Sequence, residues 1–176
     1  PAEVLVNEAS EAELRQILRT TLNEREARSI ARAIVRARTQ EAIRTTRRLS
    51  EVILSTLSPQ ARRKGRQPAP ALLAFRAAVN SELENLAQGI RLAVDALRPG
   101  GRLVVISFHS AEYRVCRTVF RSLAHPCACP PRLPCVCGLQ PRVKILTPRP
   151  PGPDEESLRL SGPTCRSARM HVLEAL

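Results

Sequence analysis

Leu103-Val104-Val105-Ile106 is an uninterrupted apolar run, bounded by a Pro99-Gly100-Gly101 breaker on one side and the polar tetrad Ser107-Phe108-His109-Ser110 on the other. Such a run predicts a strand, and its lack of alternation predicts burial on both faces of a largely parallel sheet. On either side the apolar period becomes helical. Leu72, Phe75, Val79, Leu83, Leu86, Ile90, Val94 and Leu97 mark one long helix before the strand; Val115, Cys116, Val119, Phe120 and Leu123 mark another after it. A short strand over Val143 to Leu146 and an alternating stretch over Ser167 to Glu174 complete the series. Helix, strand, helix, strand, strand is the order of the second half of a doubly wound α/β sheet. In such sheets ligands collect at the C-terminal strand ends, which is where the tetrad falls.

Upstream, residues 10–57 read as three amphipathic helices. Ser10 with Glu13 and Asn23 with Glu26 have the spacing of N-terminal caps, and Thr46 opens a third pattern through Leu49, Val52, Ile53 and Leu57. In the second helix Arg25, Arg28, Arg32 and Arg36 share one face, which suits solvent as well as phosphate. Pro59 ends the third pattern, and the basic stretch 61–68 forms an expected boundary between a helical part, 1–66, and a sheet part, 67–176.

The chain has 28 Lys plus Arg against 16 Asp plus Glu, a formal net charge of +12 and a pI near 11.0. A polyanionic partner is therefore expected, and Arg, which supplies all but two of the cations, grips phosphate through a planar fork. No run of about 18 apolar residues exists, so no membrane span is expected.

Cys127-x-Cys129 and Cys135-x-Cys137 lie in a proline-rich loop, 127–138. Four thiolates can complete a tetrahedral zinc shell, while disulfides or unligated thiols remain alternatives at this spacing.

The segment from Arg98 through Pro99-Gly100-Gly101, the apolar run and Ser107-Phe108-His109-Ser110, followed by Glu112 and Arg114, resembles the small-subunit rRNA cytidine methyltransferases of the MraW/RsmH type and their organelle relatives. Val6-Asn7-Glu8, Ile30 to Ile34, Thr45-Thr46, Arg76 with Val79-Asn80, Cys127 to Gly138 and Arg166 to Arg169 agree in the same order. The resemblance implies the C-terminal half of a class I, Rossmann-like S-adenosylmethionine-dependent methyltransferase carrying an inserted helical RNA-recognition subdomain. Its implied reaction is methyl transfer from S-adenosylmethionine to the N4 amine of a cytidine in small-subunit rRNA. The family's glycine-rich donor loop and acidic residues lie upstream of such an insertion, so this chain alone is expected to be inactive, with Phe108 its contribution to the donor pocket.

Positioning roles are implied for Ser107, His109 and Ser110, although Ser110 also suits the cap of the next helix. RNA contacts are implied for Arg44, Arg47, Arg48, Arg62, Arg63, Lys64, Arg66, Arg76, Asn80 and Arg114. A ribosomal role implies a reducing compartment, which favours a structural zinc on Cys127, Cys129, Cys135 and Cys137. The implied partner is the small ribosomal subunit or its precursor, in the bacterial cytoplasm or in a mitochondrial or plastid matrix. A homodimer is among the assemblies left open. Two departures from the family pattern, Gln67 to Ala74 and Tyr113 in place of an acid, support an alternative: a catalytically inactive relative acting in ribosome assembly.

Overall fold

The structure, a computed structural model, describes every residue except 59, 61, 62, 64, 66, 128 and 131–135. Among the elements of the described residues are α1 (Ala2–Glu8), α2 (Glu11–Leu18), α3 (Glu24–Arg38), α4 (Thr46–Ser55), α5 (Ala69–Val79), α6 (Glu82–Asp95), β1 (Arg102–Ser107), α7 (Ser110–Ala124), β2 (Val143–Ile145), α8 (Glu155–Ser161), a 3-10 turn (Pro163–Ser167) and β3 (Arg169–Ala175). They form two compact units, Pro1–Glu82 and Leu83–Leu176. At the level of class the chain is α/β, a small sheet with many helices. Among the described residues no helix is long and apolar enough to cross a membrane.

The first unit is helical. Ser10 and Glu13 close a capping box on α2, and Asn23 Oδ1 accepts the Glu26 N–H at 3.0 Å on α3. Each such cap satisfies an orphan N–H, worth about 1 kcal/mol. Helix α4 begins at Thr46, as the sequence suggested, and is capped by Thr45, whose side chain accepts the Arg48 N–H at 3.1 Å. Helix α1 shows no signature in the sequence because it has seven residues and no side-chain cap. It is held from outside: Arg38 Nη1 donates to the carbonyls of Val6 and Ala9 at 2.9 and 2.7 Å. The core gathers Leu14, Leu18, Ala31, Ile34, Ile53 and Phe75.

The single long helix expected from Leu72 to Leu97 is two helices. Asn80 ends α5, and Ser81 takes a φ of 50°, a left-handed conformation that costs a non-glycine residue about 1–2 kcal/mol. Arg76 bridges the break with a bidentate pair to Glu82, at 2.8 and 3.0 Å. Because α5 buries Ala71, Ala74 and Phe75 among the helices, the first unit runs to Glu82, where the sequence suggested a boundary after Arg66.

In the second unit the strand order is β1-β3-β2 and both pairings are antiparallel. Strands β1 and β2 thus run parallel to each other with β3 between them. Leu103 and Val105 of β1 turn towards a core of Ile90, Phe120, Val143 and Leu173. Burial of β1 on both faces is not found: Val104 and Ile106 are 53% and 55% exposed and pair with Val172 and Met170 on the opposite face. Among the described residues helices cover one face of this sheet. The Pro-Gly-Gly turn has a specific task. Gly100, at φ 78°, donates its N–H to Ala175 O at 2.9 Å, and a Cβ on Gly101 would lie 2.8 Å from Arg98 O. Glycine at both positions lets the end of β3 dock against the turn.

Candidate functional site

The tetrad after β1 separates into inward and outward residues. Ser107 is buried, and its Oγ lies 3.0 Å from His171 Nε2 on β3, so the two share a hydrogen bond inside the sheet layer. Tyr113 on α7 packs its ring 5.2 Å from that of His171, and Phe120 meets it edge-on at 6.0 Å. Arg117 donates to the Tyr113 hydroxyl at 3.4 Å. Burial, and then the Arg117 charge, hold the His171 imidazole below its ordinary value of 6.5. A neutral histidine thus links β1, β3 and α7.

Phe108 and His109 lie at the strand end. Phe108 is 55% exposed. His109, not Ser110, is the N-cap of α7: its Nδ1 accepts the Glu112 N–H at 3.4 Å, while the Glu112 carboxylate takes the N–H groups of Phe108 and His109 at 2.7 and 3.2 Å. Histidine is an uncommon cap, and Glu112 three residues later was the signal that could have revealed it. With Nδ1 accepting, the proton of a neutral ring sits on Nε2. That atom is buried and lies 3.2 Å from Glu112 Oε1, yet without the alignment of a hydrogen bond. It is a donor with unused capacity at the strand end. Ser110 is the first, exposed residue of α7, and Arg114 is exposed one turn further on. Cys116, facing the core, is no nucleophile, since burial and then Glu112 push its thiol up to about 11.

Next to the buried histidine runs a groove of about 600 Å³, floored by Phe120, Val143 and Ile145 and edged by Arg117, Arg121 and Lys144. Sequence reasoning missed this groove and His171. The signal was present in the alternation of 169–175, which puts His171 on the same face as Leu173.

On the first unit the basic residues fall into two sets. Along α3, Glu24 engages Arg15, Arg19 and Arg28, and Glu11 engages Arg32, leaving Arg25, Arg36 and Arg38 with no acid in salt-bridge range among the described residues. The second set surrounds the start of α4. Helices α2 and α3 each carry two acids in the first turn, as the helix dipole favours. Helix α4 carries none there and has Arg47 and Arg48 instead, with Arg44 just before its cap; among the described residues only Arg48 of the three meets an acid, Glu51 at 3.5 Å. Cations at a helix N-terminus repel its dipole, and a phosphate placed among them would be held by both. Asn7 fixes this segment, as its side-chain amide donates to Ile43 O at 3.0 Å and accepts the Ile43 N–H at 2.9 Å.

Arg76 and Asn80 are both drawn to Glu82. Arg63 is exposed, whereas Arg62, Lys64 and Arg66 lie outside the described residues. Cys127, Cys129 and Cys137 bring their sulfurs together within 4.8 Å of one another, and Cys135 lies outside the described residues.

Residues 1–176 match the model of the MraW methylase family. A protein named ribosomal RNA small subunit methyltransferase H from Pelobacter propionicus is 49% identical over 175 residues, covering 98% of this chain and 55% of that protein. Proteins of the same name from Thermomicrobium roseum and Symbiobacterium thermophilum are 43% and 44% identical, covering 100% and 99% of this chain and 54% and 55% of theirs. The chain thus spans about half the length of the curated relatives it matches. With that length of agreement behind it, the chain belongs to the MraW methylase family.

Proposed function

We propose that this chain is the RNA-presenting and edge-closing part of a small-subunit rRNA methyltransferase that moves a methyl group from S-adenosylmethionine to the N4 amine of a cytidine. The observation that carries this reading is 49% identity across 98% of the chain to a protein named for that class of activity. The parallel pair β1 and β2, with β3 antiparallel between them, supports taking the three strands as one end of a largely parallel, Rossmann-like sheet. The matched relatives are bacterial, which supports a ribosome-associated role in a bacterial cytoplasm.

The described residues do not by themselves suit the adenosyl donor. After β1 the turn has no glycine, and the carboxylate of Glu112 occupies the two backbone N–H groups that a ligand there would seek. Only the exposed Phe108 ring stands ready to border such a ligand. What the chain's own residues do is therefore positional. Methylation of an exocyclic amine needs the acceptor nitrogen aligned and one of its protons released. In this reading His109, whose Nε2 is buried, positions the strand end against the cytidine, Phe108 offers a face for stacking, and Arg44, Arg47, Arg48, Arg63 and Arg114 hold phosphates. Ser107 acts through His171 and is a positioning residue. A second reading, an inactive relative that still binds the subunit, is favoured by Tyr113, which serves packing against His171 where the family pattern has an acid.

A chimera tests both readings. The part of the Pelobacter propionicus relative lying outside the match, fused to this chain, should methylate a cytidine of unmodified small subunits, while the 176-residue chain alone should bind the subunits without labelling them. A folded chimera that binds but does not methylate would select the inactive reading, and failure to bind would overturn both. In the active chimera, His109→Asn keeps a good cap, so stability should hold while turnover falls at least about tenfold.

A further inference from the structure

Residues 125–141 leave α7 and return to β2 at one point. There the Arg142 N–H donates to Leu123 O at 3.0 Å and the Leu176 N–H donates to Arg142 O at 3.0 Å. Between these clamped ends the described residues form neither helix nor strand, and the described apolar side chains Val136 and Leu139 are 89% and 53% exposed. Described residues with so little regular structure and apolar burial call for something other than a core to hold them. Yet three of its cysteines converge, with all three sulfurs within 4.8 Å of one another and no disulfide among them. The backbone N–H groups of Val136 and Cys137 both donate to the Cys129 sulfur, which ties two parts of the loop together.

We propose that Cys127, Cys129 and Cys137 together bind one zinc ion as thiolates, and that this ion fixes the loop as a structural clip. The reading is independent of the methyltransferase proposal. Zinc–sulfur bonds of about 2.3 Å at tetrahedral angles put sulfurs roughly 3.8 Å apart, so the observed cluster needs only a small contraction. Among the three described cysteines a disulfide uses two sulfurs, whereas one soft divalent cation uses all three. Each thiol gives up its proton on binding, and no oxidant or reductant is required. The three described cysteines carry the proposal, and Cys135 lies outside the described residues. Since His125 and Pro141 both line the basic groove of the second unit, the clip would also fix one wall of that groove.

The test uses the intact 176-residue chain, reduced, stripped with chelator and titrated separately with zinc and with cobalt. Uptake should saturate at about one ion per chain, and the cobalt form should show thiolate charge-transfer bands with the intense visible absorption of tetrahedral coordination. Replacing both Cys127 and Cys129 with Ser should lower uptake at least about tenfold, while Cys165→Ser should leave it unchanged. A reduced wild-type chain without cobalt–thiolate bands would overturn the proposal, and that measurement needs no variant to fold. Undiminished uptake by the double variant would overturn it equally. So would a wild-type chain that forms a stable disulfide among these cysteines in air while ignoring added metal.

Discussion

His171 is neutral where it sits, and that has a consequence for stability in mild acid. Its folded pKa lies below the ordinary 6.5 because burial, and then Arg117, oppose the charge. The unfolded chain therefore takes up a proton first as pH falls, so stability is full above about 6.5 and declines as pH drops from there towards the folded value. Glu13 and Asp154 have pKa values lowered from 4.5 and 3.8 by hydrogen bonds from Ser10 and Ser157, and their contributions fade only in stronger acid. Urea midpoints measured at about pH 7.5 and about pH 5.5, on either side of the ordinary imidazole value, should differ for the wild-type second unit. In His171→Gln the difference should shrink, and an unchanged pH slope in that variant would assign the effect to another group.

At the scale of the element, helix α4 makes the most exposed prediction. Arg44, Arg47 and Arg48 crowd its start against the dipole, and changing them with Arg63 to Gln should weaken small-subunit RNA binding. The salt dependence should flatten by about 0.7–0.9 in log–log slope for each phosphate no longer neutralised. Removing Arg47 and Arg48 should also leave the helix slightly more stable, by roughly 0.3–1 kcal/mol each, readable as a higher melting temperature. A fall in stability with affinity intact would make these arginines structural. Legibility in the sequence divides along the same line between local and distant causes. The caps at Ser10 and Asn23, the β1 run and the β2 strand were readable because each depends on neighbours a few residues away. The break at Ser81 was not, since an apolar period runs straight through it and Glu82 reaches back to Arg76 only in three dimensions. Nor was the open face of β1, because whether Val104 and Ile106 are covered depends on which elements lie over the sheet. Of the candidate site, the tetrad was legible by position, but the inward turn of Ser107 was set by a partner 64 residues away.

For the whole molecule, each unit has its own hydrophobic cluster, the helical one including Leu14, Ile34 and Phe75 and the sheet one including Phe120, Val143 and Leu173. A fragment of residues 1–82 should then fold alone, giving a helical circular dichroism spectrum and a single cooperative urea transition. A broad, non-cooperative decline of signal would mean that its core is insufficient by itself. The order of the strands has a further consequence, one for biosynthesis. Of the three, β3 is made last and stands in the middle, so a ribosome must translate past residue 175 before either outer strand can complete its ladder. Arg102 then waits for Glu174, 72 positions downstream. Such pairing is slow because a long stretch must close before any contact rewards it. During that interval the nascent chain displays two unsatisfied strand edges.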